Sequence, residues 1–157
     1  MAGTSDIWMI VDTSGSMAEG RKMLLSRAIA LEVAQLVRMG YLKTEKLHLA
    51  RTTDAGVEEV KWDHAEEYPA TMLSCHGHFN GKGVAEFLAT IPNRGIILTD
   101  GFWNRKDREA IRSQTQLMAP NMVRIIRIGM AAPTLRGINV FDAEDLSAAL
   151  DAWRPHG

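Results

Sequence analysis

The chain has 157 residues, 46% of them hydrophobic and 24% charged, a balance from which one compact domain over residues 1–157 is expected, without a second. Its formal net charge is -1, so no global field draws it to nucleic acid or anionic lipid, and basic clusters such as Arg105-Lys106 are followed by acids that make them a solvated face. No apolar run approaches the roughly 18 residues that span a bilayer, the start lacks a basic segment followed by an apolar core, and the single cysteine, Cys75, excludes an intrachain disulfide. A cytoplasmic protein with neither nucleic acid nor membrane as partner is the expectation.

Taken in chain order, apolar strands alternate with amphipathic helices. Ile7 to Val11 is a short continuous apolar run, expected of a strand buried on both faces. A helix follows over roughly Glu19 to Met39, where Met23, Leu24, Ala28, Leu31 and Ala34 recur at helical spacing and Gly40 stands as its C-terminal cap. LHLART and VEEVKW, separated by TDAG, predict a hairpin of two antiparallel strands beside the first strand. Gly81 to Ile91 reads as a short helix, Gly95 to Thr99 as a second apolar strand, and Arg105 to Met118 as a more polar helix ending before Pro120. MVRIIRIGM and GINVF give two more strands, after which Asp142 is placed to cap a final helix whose Leu146, Leu150 and Trp153 share one face. The fold class is α/β: a doubly wound, mostly parallel central sheet with one antiparallel hairpin strand and helices on both faces. Ligands of such a sheet belong at the carboxyl ends of its strands.

Asp12, Ser14 and Ser16 in MIVDTSGSM lie just past the end of the first strand, and Asp100 ends GIILTD in the same way. Acid and hydroxyl oxygens converging from neighbouring strand ends suit a hard divalent cation, which takes about six oxygens. Residues 12, 14 and 16 alternate, and Gly15 allows a loop curved enough to turn all three inward. The N-terminus of the following helix repels a cation, so at least one carboxylate is needed to hold it. Two neutral hydroxyls add oxygens without charge and leave the metal electrophilic toward an acidic side chain of another protein.

These stretches resemble a known family. DTSGSM is similar to the DxSxS signature of the von Willebrand factor A domain, IILTDG to its second acidic loop, and the resemblance covers nearly the whole chain in strand and helix order. It implies a Rossmann-like fold with a metal-ion-dependent adhesion site in which Asp12, Ser14, Ser16 and Asp100 are the corresponding ligands, with Mg²⁺ as the first expectation. The family's fifth position is a threonine in a loop of the type GGTxxGKAL. Here GHFNGKGV, residues 77 to 84, puts His78 at that position when Gly81-Lys82 is aligned, and Asn80 there in a register shifted by two. An imidazole is softer than a hydroxyl, so His78 as a ligand would turn preference toward Mn²⁺, Zn²⁺ or Ni²⁺; the alternative has it bonding loop backbone or facing solvent.

Other readings of the same residues compete. Asp12, Ser14 and Ser16 also suit an Asx turn and helix cap. Cys75, His76 and His78 in SCHGHFNG would need a fourth ligand, His64 or His48, to close a zinc site, and Cys75 as a nucleophile lacks an orienting acid, which favours a small residue packed near the sheet. Phe102 and Trp103 follow the second acidic loop, where they would form part of a partner-contact surface, with Asn80 a further contact candidate, or pack in the core.

Enzymes that begin similarly are disfavoured on specific residues. Haloacid dehalogenase-type phosphatases carry a second acid where this chain has Ser14, aspartic proteases read Asp-Thr-Gly without the intervening Ser14, and TSGSM lacks the flanking glycines of a hydrolase elbow. The expected function is a non-enzymatic interaction module that binds an Asp or Glu of a partner protein through a divalent cation. Resemblance to stand-alone prokaryotic members of the family implies an AAA+ ATPase or multi-protein assembly as its setting. The alternative is a scaffold subunit with a degenerate metal site that assembles into an oligomer or larger particle.

Overall fold

Strand β1 (Ile7–Val11) turns Ile7, Met9 and Val11 to one side and Ile10 to the other, and all four are buried, so helices must cover both faces. The computed structural model describes residues 6–63, 66–91 and 94–154 and carries out that requirement. Its sheet adds β2 (Leu47–Thr53), β3 (Gly56–Val60), β4 (Arg94–Thr99), β5 (Val123–Arg127) and β6 (Val140–Asp142), in the order β3-β2-β1-β4-β5-β6. Every neighbouring pair is parallel except β2 and β3, the hairpin expected from TDAG.

Helices α1 (Lys22–Arg38) and α4 (Leu146–Leu150) cover one face, where Ile29, Val33, Leu146 and Leu150 pack with Met9, Val11 and Leu98. Helices α2 (Gly81–Thr90) and α3 (Arg105–Leu117) cover the other, where Val84, Leu88 and Ile111 pack with Ile10, Ile97 and Ile125. The architecture is the doubly wound α/β sheet expected from the alternation of elements. No helix among the described residues is long and apolar enough to cross a membrane.

Three local expectations change. Helix α1 starts at Lys22 rather than Glu19, because residues 15–18 form a 3-10 turn and Gly20 and Arg21 both take positive φ, 59° and 61°, to reverse the chain into the helix. Its buried face is Lys22, Ser26, Ile29, Ala30, Val33 and Ala34; Leu24 and Leu31, expected on that face, are exposed. Small Ala30 and Ala34 allow close approach to the sheet, and Lys22 is anchored there by a polar partner. Asp142 does not cap the last helix: it ends β6 and lies 3.3 Å from Arg127 Nε, while residues 143–145 make a 3-10 turn before α4. Gly40, at φ 79°, closes α1 as expected, its N–H donating to the Val37 carbonyl.

The connections fix where loops diverge. From β1 the chain crosses through α1 to β2 on one side; α2, on the opposite face, returns it to β4 on the other side of β1. The carboxyl ends of β1 and β4 therefore flank the point where the strand order reverses, the usual crevice for ligands in such sheets. Val11 pairs with Leu98 in register, and the Asp12 N–H donates to the Leu98 carbonyl at 2.8 Å.

Candidate functional site

The register that pairs Val11 with Leu98 delivers Asp12 and Asp100 to the same crevice, both buried, at 1% and 0% exposure. Asp12 is held by its own loop first. Its Oδ1 accepts the Ser14 N–H at 2.9 Å, an Asx turn, and the Ser14 hydroxyl at 2.6 Å. Its Oδ2 accepts the Thr99 hydroxyl at 2.6 Å from β4 and the Trp103 indole N–H at 3.3 Å. All of these donors are neutral, so among the described residues Asp12 is a buried carboxylate with no hydrogen bond from a cationic side chain. Burial pushes its pKa up from the ordinary carboxylate value, hydrogen bonds from Ser14 and Thr99 pull it back, and the charge of Asp100 adds to the rise.

Asp100 is treated differently. Its Oδ2 lies 3.0 Å from Lys22 Nζ, a buried ion pair between strand end and helix start, and its Oδ1 accepts the Phe102 N–H at 3.2 Å. Lys22 Nζ also stands 3.5 Å from the Ser16 carbonyl and 4.9 Å from the centre of the Phe102 ring.

The loop of residues 76–80 is docked beside the loop of residues 12–16 through backbone. His76 N–H donates to the Thr13 carbonyl at 2.9 Å, and Gly15 N–H to the Gly77 carbonyl at 3.0 Å. Asp54, in the β2–β3 turn, anchors it by accepting the His78 N–H at 2.8 Å. Gly77 is required there, because its φ is 80° and a Cβ would come within 2.5 Å of Asp54 Oδ1. The His78 side chain itself is exposed. Asn80 is used as the N-cap of α2, accepting the Gly83 N–H at 2.9 Å while its amide donates to the Asp54 carbonyl at 3.0 Å.

The two aromatic residues part company. Phe102 is 53% exposed and leans on Lys22, whereas Trp103 is 8% exposed, stacks on Phe79 with centroids 4.4 Å apart and donates to Asp12. Trp103 is thus a core residue that supports the acid, and its place in a contact surface is corrected by its burial. Cys75 is partly buried against the core, and burial, then the charges of Asp12 and Asp100, push its thiol up to about 11, which removes it as a nucleophile near neutral pH. Among the described residues no three His, Cys, Asp or Glu side chains gather as a metal site, so Cys75, His76 and His78 do not form one. His48 is stacked on Trp8 and faces Asp6 and Glu59 at the amino end of β1, and His64 lies outside the described residues.

Lys22 is the residue of this crevice that the motifs did not reveal. Its signal was present: it sits four residues before Ser26 and seven before Ile29, on the stripe that faces the sheet, where a lysine needs a partner.

A divalent cation can be tested against these oxygens. Among the described residues Asp12 accepts no hydrogen bond from a cation, the Ser14 hydroxyl spends its hydrogen on Asp12 and keeps its lone pairs, and the half-buried Ser16 hydroxyl has no hydrogen-bond partner. This donor set is hard, oxygen-only and short of positive charge, and it fits such an ion. Lys22 holds the Asp100 side.

No protein-family model matches the chain, and no curated protein matches it. Solved structures do. Manganese-loaded Plasmodium vivax TRAP protein superposes with a TM-score of 0.59 at 13% identity, covering 96% of this chain and 73% of that one. Proximal thread matrix protein 1 from the mussel byssus gives a TM-score of 0.56 at 14% identity over 95% of this chain. The chain spans about half the length of that matrix protein, 46%. At such identities the likeness establishes a von Willebrand factor A-like fold.

Proposed function

We propose that this chain is a non-enzymatic protein-interaction module that takes an acidic side chain of a partner protein at the crevice formed by Asp12, Ser14, Ser16 and Asp100. The observation that carries the reading is Asp12, a buried carboxylate served among the described residues only by neutral donors, beside a Ser14 oxygen with free lone pairs and a Ser16 hydroxyl with no partner among those residues. Asp12, Ser14 and Ser16 would hold a divalent cation from one side and Asp100 from the other. Bound there, the ion supplies a positive centre with coordination left open for an Asp or Glu of the partner. Mg²⁺ suits the oxygen set best, and engagement of the exposed His78 imidazole would move preference toward Mn²⁺ or Zn²⁺. The manganese-loaded fold neighbour supports a divalent ion in this architecture. The exposed Phe102 serves as part of the surrounding contact surface. The setting we propose is cytoplasmic, with the 157 residues acting as one unit beside an AAA+ ATPase or within a larger assembly.

Calorimetric titration of chelator-treated protein with Mg²⁺ and Mn²⁺ tests this, with Ser16→Ala as the control variant. Among the described residues the Ser16 hydroxyl has no partner to lose, so the variant keeps its fold. Saturable binding weakened by about tenfold or more in Ser16→Ala is the expected result. Absence of binding to the wild-type chain rejects the metal-bridged form.

The Lys22–Asp100 pair favours a second reading, a scaffold subunit whose metal site has been closed by a lysine. A scaffold assembles equally well with chelator present, whereas metal-bridged adhesion loses its partner.

A further inference from the structure

Lys22 stands where a second positive charge must compete with it. Its ammonium lies 3.0 Å from Asp100 Oδ2, with Lys22 5% and Asp100 0% exposed, so the pair is shut away from solvent screening. The ammonium also lies 3.5 Å from the Ser16 carbonyl and 4.9 Å from the centre of the Phe102 ring, which belong to the loops that follow β1 and β4. The fold also makes room for the lysine stem: Gly129, at φ 61°, faces it so closely that a Cβ there would lie 3.0 Å from Lys22 Cγ. Lysine is thus placed by backbone, stem and head together.

The charges decide the consequence. Asp12 and Asp100 carry two negative charges when ionised and Lys22 returns one positive charge, so the cluster attracts a cation, while the ammonium repels any cation approaching Asp100. A dication and an ammonium cannot share one buried carboxylate without mutual repulsion that water does not screen.

We infer that Lys22 is a resident counter-ion of this site, which occupies Asp100 in the metal-free protein and is expelled from it when a divalent cation binds. The exchange forms and breaks no covalent bond. It rests on the metal-bridged reading above, and it adds that the affinity of the site is set by a lysine outside the signature motifs. Metal binding then releases a buried ammonium toward the exposed Phe102 at the rim, which couples occupancy of the site to the charge of its partner-facing surface.

Two measurements on the full chain test the exchange. In calorimetry with Mn²⁺ on chelator-treated protein, Lys22→Met is expected to bind about tenfold or more tightly than wild type. Binding by Lys22→Met alone supports the exchange in its strongest form. Equal affinities in the two proteins overturn it while leaving the metal site standing, and binding by neither overturns both. Because Lys22→Met leaves Asp100 unpaired, the wild-type protein supplies the second readout: modification of Lys22 by an amine-reactive acetyl ester, followed by mass spectrometry. Slow labelling in chelator that rises about fivefold or more at saturating Mn²⁺ is expected, given an amine buried in one state and freed in the other. Unchanged protection at saturating Mn²⁺ overturns the inference.

Discussion

Lys22 Nζ and Asp100 Oδ2 meet at 3.0 Å across 78 residues of sequence, tying the first turn of α1 to the end of β4. Breaking a buried pair leaves one charge without compensation, so Lys22→Met and Asp100→Leu each lose about 3–5 kcal/mol in metal-free protein. The double variant loses clearly less than the sum. Urea denaturation of all four proteins, read as a double-mutant cycle, checks the coupling; additive losses would remove Lys22–Asp100 as the anchor of α1.

Asp12 accepts hydrogen bonds from Ser14, Thr99 and Trp103, which makes it a structural acceptor as well as a candidate ligand. Asp12→Ala orphans those donors and loses about 3 kcal/mol or more, at about 1–3 kcal/mol per unsatisfied buried group with partial relaxation. Metal loss in Asp12→Ala is therefore uninformative unless its melting temperature is measured alongside. His78→Thr, which alters an exposed side chain and keeps the backbone bond to Asp54, stays within about 0.5 kcal/mol of wild type.

The raised pKa of Asp12 has a definite sign in pH titrations. Its proton affinity in the folded state exceeds that of the unfolded chain, whose reference is 3.8, so its stability contribution is fully present below that value. That contribution is lost as pH rises through the folded pKa. Asp12→Asn, which carries no titrating proton, removes this component, and the wild-type minus variant stability difference should decline with rising pH above 3.8. A difference that grows with pH would contradict the burial-driven rise.

Cys75, with its thiol pushed up to about 11 by burial and by the nearby acids, contains little thiolate at pH 8. Alkylation by iodoacetamide should run about tenfold or more below that of an exposed peptide cysteine, and accelerate steeply as pH approaches 11. A rate equal to the peptide's would show that the thiol is not held by burial against the core.

Gly81 opens α2 against α3, where an added Cβ would stand 2.5 Å from Asp107 Cα and 2.6 Å from Asp107 O. Backbone cannot yield as a flexible side chain does, so Gly81→Ala forces the helices apart and costs about 1–3 kcal/mol. Thermal melting gives the check, and an unchanged melting temperature would show that α2 and α3 are not locked at this contact.

Local chemistry was legible in the sequence. The apolar run Ile7 to Val11, the hairpin signal in TDAG, the Gly40 cap and the Asx turn from Asp12 to Ser14 each depend on a few adjacent residues, and each stands where the pattern placed it. The strand ends bearing Asp12 and Asp100 follow from the same alternation, because a doubly wound sheet puts its crevice where the order reverses. The sequence by itself thus determined the element order, the fold class and the meeting of two acids. Which face of α1 is buried was left to the tertiary structure, since Leu24 and Leu31 compete with Ile29 and Val33 for the core and only docking on the sheet selects between them. The partners of those acids were decided there too. Thr99 reaches Asp12 across 87 residues and Trp103 across 91, while Lys22 reaches Asp100 across 78, distances in sequence that only strand register and helix docking can close.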